Sequence, residues 1–263
     1  MDTCAYVERV NLSAADHFIA AGAALGAGFV NAVAGGGTLL SFPTLVALGV
    51  PSVRSNVTNT VALCPGYFGG TYAQRADLKA TPERAKAVLL PSAVGGLLGS
   101  VLLVISPEKL FKNIVPYLIL AACALLGFQD QIKKRLPPRP IDGDVAAKTS
   151  VPVRLSVLAA STYGGYFGAG MGIVLLAVLG IALPDSMRRI NALKQLIAAT
   201  TNIIAALFFV SSGKVVWSLA LAMAPASLLG GQIGGRAVTK IPAKPLRAVV
   251  IAFGVAVAVK AWL

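Results

Sequence analysis

The chain alternates long apolar stretches with short polar ones. Eight runs, 18–53, 55–74, 87–107, 113–129, 155–184, 195–213, 215–235 and 248–259, contain no ionisable Asp, Glu, Lys, Arg or His. Most are close to the roughly 20 residues that a helix needs to cross a bilayer. Apolar and polar positions do not alternate within them, which disfavours a transmembrane β-barrel. The pattern predicts an all-α polytopic membrane protein. Its 27 glycines and 15 prolines suit membrane helices that approach closely and interrupt their own regularity.

Composition agrees with the pattern: 56% of the 263 residues are apolar and 13% charged, whereas soluble chains carry about 25% charged residues. The net charge of +13 changes the picture more. Lys and Arg lie in short clusters between the runs and form no continuous stripe, so they read as a topology signal, with no nucleic acid as partner. Cys4, Cys64 and Cys123 are odd in number and lack metal-ligand spacing, so neither a disulfide framework nor a metal site is expected. Ala32-Val33-Ala34 has the form of a signal-peptidase site, but Asp2, Glu8 and Asp16 precede it against a single Arg9, so cleavage is not expected.

A shift of 135 residues aligns the two halves without a gap. Gly35 and Gly37 fall on Gly170 and Gly172, Arg54 on Arg189, and Asn56 on Asn191. Gly95, Gly96 and Gly99 fall on Gly230, Gly231 and Gly234, and Pro107 and Lys109 on Pro242 and Lys244. Apolar coincidences are cheap in such a composition; Asn, Arg, Pro and Lys coincidences are not. Two copies of one unit are expected at 14–129 and 153–263, joined by the basic, Pro-rich linker 130–152.

The basic residues decide how the copies are related. If all eight runs are full crossings, 10 Lys and Arg fall on one face and 13 on the other, which is no bias. If the first run of each copy folds back at its glycines, each copy crosses an odd number of times and the copies are antiparallel. One face then collects 17 of the 23 basic residues, and the other keeps six: Arg9, Arg54, Lys109, Lys112, Lys214 and Lys260. The positive-inside rule then places the linker in the cytoplasm and both termini outside. The first runs, 36 and 30 residues long, exceed one span and fall short of two comfortable ones. The expected fold is therefore two inverted-topology repeats, each with a Gly-broken or re-entrant first helix followed by three transmembrane helices. Such repeats point to a secondary transporter with its site where the breaks meet.

The first break contains Asn31, Gly35, Gly36, Gly37, Thr38 and Ser41. A half-helix starting near Thr38 presents free N–H groups and its positive end to an anion; close helix packing is the other use of such glycines. The second break, Gly164 to Gly172, repeats the device with Met171 in place of one glycine and Tyr166 in place of Asn31. Its half-helix is expected to start near Ile173. Asn56, Asn59 and Thr60 follow in the first copy, matched by Asn191, Lys194 and Gln195 in the second. Asn191, Lys194, Gln195, Ala198 and Asn202 share one helix face. A lysine one turn into an apolar helix either snorkels or neutralises an anionic substrate. All ten carboxylates lie in expected loops or at segment ends, so carboxylate-bound metal cations and proton relays are disfavoured. His17, the lone histidine, reads as an interfacial structural residue. Arg54 and Arg189 read as solvated loop arginines or anion guides. No Ser/His/Asp set or phosphate-binding loop is present, which leaves a membrane-embedded enzyme or a non-transporting assembly protein as lesser alternatives.

Gly28-Phe29-Val30-Asn31-Ala32-Val33-Ala34-Gly35-Gly36-Gly37, then Pro43, Gly49-Val50-Pro51 and Asn56-Val57-Thr58-Asn59-Thr60, resemble the TauE/SafE or sulfite exporter family. Gly165 to Gly172 and Arg189 to Lys194 are similar to that family's second motif and the helix after it, and the likeness spans essentially the whole chain. The resemblance implies a multi-pass inner-membrane carrier without cofactor, for sulfite or organosulfonates such as sulfoacetate. A carrier or channel for carboxylates or other oxyanions is the alternative. The expected partners are a small anionic substrate and the lipid bilayer, with a homodimer left open. The expected substrate-binding residues are Asn31, Gly36, Gly37, Thr38, Asn56, Asn59, Gly170, Gly172, Asn191, Lys194 and Gln195.

Overall fold

The computed structural model describes residues 12–33, 35–134, 149–183, 185–237 and 243–262. Cys4, Arg9, most of the linker and Lys240 to Pro242 lie outside the described residues. Within them, all regular structure is helical. The first half comprises α1 (Ala14–Val33), α2 (Thr38–Ala47), α3 (Ser52–Ala73), the short α4 (Arg75–Lys79), α5 (Pro82–Ile105), α6 (Glu108–Gly127) and the short α7 (Gln129–Lys134). The second comprises α8 (Val151–Tyr166), α9 (Met171–Ala182), α10 (Met187–Ser211), α11 (Trp217–Ala237) and α12 (Ala243–Trp262). α5, α6 and Arg188–Ser211 of α10 are long and apolar enough to cross a membrane, and α2 and α9 are shorter apolar helices.

The helix ends follow from local chemistry. Ser13 and Asp16 open α1 as a capping box: the Ser13 N–H donates to Asp16 Oδ2 (2.7 Å) and the Asp16 N–H to Ser13 Oγ (3.2 Å). His17 Nδ1 sits 2.8 Å from the Ser13 carbonyl oxygen, a contact within the same turn. The Val53 N–H near the start of α3 donates to the Glu108 carboxylate at 3.1 and 3.2 Å, which sets a negative charge on the positive helix end.

Both first helices break at glycines in the left-handed region. Gly35 (φ 76°) and Gly36 (φ 90°) turn the chain between α1 and α2, and Gly168 (φ 76°) and Gly170 (φ 77°) turn it between α8 and α9. A side chain is strained at such φ values. Met171 cannot adopt the conformation of its counterpart Gly36, so the second turn uses Gly168 instead. α9 consequently starts at Met171 and not near Ile173, whereas α2 starts at Thr38 as expected. Gly37 serves close packing: a Cβ there would collide with the Ala27 carbonyl oxygen, because α2 returns along α1.

The halves are interlocked. α1 packs chiefly on α11, α8 chiefly on α5, and α3 and α10 meet between them. Glycines make these contacts at backbone distance. A Cβ on Gly28 would strike the Ser227 carbonyl oxygen, one on Gly230 the Leu25 carbonyl oxygen, and one on Gly99 the Thr162 carbonyl oxygen. The matched glycines of the two halves thus do matched work, letting each first helix lie against a long helix of the other half.

Polar contacts gather at the two ends of the bundle. At one end Arg54 Nε donates to the Lys214 carbonyl oxygen (3.4 Å), and Lys214 Nζ donates to the Val104 carbonyl oxygen (2.8 Å). At the other, Arg84 pairs with Asp185, Arg188 with Asp77 (3.4 Å) and Arg247 with Asp130 (2.8 Å).

Candidate functional site

Three groups of polar residues lie inside the bundle. In the first, Asn31 at the end of α1 faces Gln195 of α10 across a cavity also lined by Gly28 and Ala32 of α1 and by Leu63, Gly66, Tyr67 and Gly70 of α3. Gln195 is buried, and its amide fits because residue 70 is glycine: a Cβ there would strike Gln195 Nε2. Asn31 Oδ1 accepts from the Gly37 N–H at 2.7 Å, so α1 caps the positive end of α2 with a neutral amide. The cavity measures about 10 Å³, room for about one water and too little for an oxyanion.

The second group is at the start of α9. A Cβ built on Gly172 would lie 3.7 Å from Lys194 Cδ and 3.9 Å from Cε. The Lys194 stem therefore runs past the first turn of α9. Asn191, one turn earlier on α10, donates from Nδ2 to Gln74 Oε1 at 2.8 Å, at the end of α3.

The third group lies where α8 ends. Asn56 is fully buried, and its Nδ2 donates to the Tyr166 carbonyl oxygen at 2.8 Å. Its Oδ1 has no partner, and neither has Oδ1 of Asn59, which is 2% exposed. These two carbonyl oxygens are acceptors, and an anion requires donors. Phe42, Phe111, Phe167 and Tyr166 stack edge-on beside them, with centroids 5.4 Å apart for Phe42–Phe167 and 5.6 Å for Phe111–Tyr166.

The remaining expected residues are placed as follows. Gly36 faces Leu126, and Gly170 faces Ala122. Thr38 and Ser41 are buried, with Ser41 Oγ turned 3.5 Å from the Gly37 carbonyl oxygen. Arg54 is tied to the Lys214 backbone, and Arg189 lies 3.6 Å from Asp185. The cavity residues absent from the expected set are Gly28 and Ala32 of α1 and, on α3, Leu63, Gly66, Tyr67 and Gly70. The spacing Leu63, Gly66, Tyr67, Gly70 on one face of α3 is the sequence signal of the α3 group.

Apolar helices broken at glycines, with amides and a lysine among them, are compatible with a membrane protein. The model of the family described as Sulfite exporter TauE/SafE matches residues 20–261, and the chain belongs to that family. It is 27% identical over 249 residues to a "Probable membrane transporter protein ORF9" of Sinorhizobium sp, covering 90% of this chain and 89% of that one. It is 25% identical over 235 residues to the "Probable membrane transporter protein YfcA" of Escherichia coli strain K12, covering 86% and 81%. A "Probable membrane transporter protein" of Haemophilus influenzae is 25% identical over 220 residues, covering 81% of each chain.

Proposed function

We propose that the chain is a multi-pass inner-membrane secondary carrier of small anions, sulfite or organosulfonates such as sulfoacetate, and not an enzyme. It works by alternating access between two inverted repeats, 14–129 and 153–263. The observation that carries this reading is the Lys194 stem against Gly172 in the first turn of α9. A fixed ammonium and a positive helix end together favour an anion and repel a cation. Gln195, next on α10, and Asn31 contribute amides on the neighbouring cavity. Since that cavity holds about one water, substrate entry requires the two halves to move apart, and their glycine-lined contacts between α1 and α11 and between α5 and α8 are the surfaces that slide.

The antiparallel arrangement is supported by the end contacts. Arg54 with Lys214, Arg84 with Asp185, Arg188 with Asp77 and Arg247 with Asp130 each join positions that inverted repeats put on one face. Eight simple crossings would separate every one of these pairs. Cysteine labelling tests the topology in a background lacking Cys4, Cys64 and Cys123. With a membrane-impermeant maleimide and intact cells, Lys112→Cys is expected to react and Arg139→Cys to react only after lysis. Labelling of Arg139→Cys in intact cells would overturn the inverted arrangement.

The substrate is tested with purified protein in liposomes, offering labelled sulfite, sulfoacetate, sulfate and small carboxylates. Saturable uptake of the sulfur anions above protein-free liposomes is expected. Uptake of carboxylates alone would move the assignment to another anion class, and product formation without translocation would point to an enzyme.

A further inference from the structure

We propose that the first repeat binds a small monovalent cation, Na⁺, between the side chains of Asn56 and Asn59 and the carboxyl end of α8. The site itself is independent of the anion reading; its role as the co-ion of transport rests on that reading. Asn56 donates its Nδ2 to the Tyr166 carbonyl oxygen at 2.8 Å, which fixes the amide so that a carbonyl oxygen is left over. That oxygen and Oδ1 of Asn59 are buried without partners. At i and i+3 they project from neighbouring turns of one face of α3. A buried acceptor left unpaired costs about 1–3 kcal/mol, and a donor or a positive charge placed between these two oxygens would remove that cost.

The surroundings select the cation. α8 ends at Tyr166 with no basic residue in its last turn, so the negative end of its dipole meets a neutral amide donor from Asn56 and no charge. Carboxyl ends of broken helices, together with carbonyl oxygens, are the means by which carriers hold Na⁺. The oxygens here are neutral, which suits a monovalent ion; Ca²⁺ and Mg²⁺ sites use carboxylates. The edge-on rings of Phe42, Phe111, Phe167 and Tyr166 exclude water from this end.

The repeat points the same way. Under the 135-residue shift, Asn56 matches Asn191, and Asn59 matches Lys194. The second copy carries a covalently attached ammonium at the register where the first carries a neutral acceptor. A bound Na⁺ gives the first copy the charge that the second has built in. Among the described residues the carboxylates lie towards the ends of the helices, which disfavours divalent ions and carboxylate proton relays here without disfavouring this ion.

The test uses the purified full-length protein, with radiolabelled Na⁺ in equilibrium dialysis and thermal unfolding in Na⁺, K⁺ or N-methylglucamine chloride at equal ionic strength. Wild type is expected to bind Na⁺ saturably and to gain thermal stability from Na⁺ but not from N-methylglucamine. Asn59→Ala is expected to weaken binding at least tenfold. Asn59→Lys is expected to abolish it and to unfold at the same temperature in all three salts. If Asn59→Ala does not fold, Asn59→Asp decides, with binding at least tenfold tighter than wild type. No Na⁺ binding by wild type, or binding unchanged in the folded variants, would overturn the proposal. Anion uptake that persists while Na⁺ binding is absent rejects this site and leaves the carrier reading in place. Na⁺ binding without anion uptake does the reverse.

Discussion

Asp185→Asn is expected to destabilise the folded chain by about 3–5 kcal/mol, the usual consequence of removing one partner from a buried ion pair. Asp185 and Arg84 are each 3% exposed and bonded to one another. Asp185 Oδ1 also accepts from the Ser186 N–H at 2.7 Å where α10 begins. The pair ties α5 of the first half to the α9–α10 junction of the second. The asparagine variant leaves a buried guanidinium facing a neutral amide in place of its carboxylate. Removing both charges, Arg84→Met with Asp185→Leu, is expected to recover most of the loss, because a buried pair replaced by apolar groups of similar volume is often neutral. Arg189, 3.6 Å from Asp185 and partly exposed, has solvent available in either variant. The measurement is thermal unfolding of the three proteins in one detergent. An Asp185→Asn midpoint equal to wild type would show that the pair carries no such weight, and a double variant worse than the single would show that shape, not charge, holds the junction.

The distance of that pair along the chain explains what the sequence could and could not reveal. Helix spans and breaks were legible because they are local: bilayer thickness sets the length of the apolar runs, and three consecutive glycines mark the start of α2 within a residue. The second break was legible in kind but displaced by two residues, because Met171 excludes a left-handed turn where Gly36 takes one. The matched glycines at 95, 96, 99 and 230, 231, 234 announced close contacts without naming the helices they would meet. In lipid any helix accepts a small-residue face, so that choice is made by tertiary packing. The cavity wall on α3 escaped notice for a related reason. Gly66, Tyr67 and Gly70 correspond by the shift to Thr201, Asn202 and Ala205, and a search guided by repeated residue types passes over positions where the copies differ. The unpaired acceptor of Asn56 was not legible at all, since the orientation of its amide is fixed by the Tyr166 carbonyl, 110 residues away.

Lys194→Met is expected to reduce anion uptake by roughly ten- to a hundredfold at low substrate concentration, the effect of losing one hydrogen bond to a charged group worth about 1.5–3 kcal/mol. Methionine is the informative replacement because it keeps an unbranched stem to pack on Gly172 while removing the ammonium. A purely structural lysine, present only for its packing over α9, would tolerate the change, and the uptake curve would superimpose on that of wild type. A lysine that holds the anion in its resting bound state raises KM and leaves the maximal rate close to wild type. One that acts only as the halves exchange access lowers the maximal rate instead. We expect the first outcome, since the Lys194 stem lies along the first turn of α9. Lys194→Arg keeps the charge but carries a planar fork in place of a compact ammonium, and is expected to fall between the two. Unchanged kinetics in folded, monodisperse Lys194→Met would remove the ammonium from the site and leave the substrate to the positive helix ends and the amides of residues such as Asn31 and Gln195.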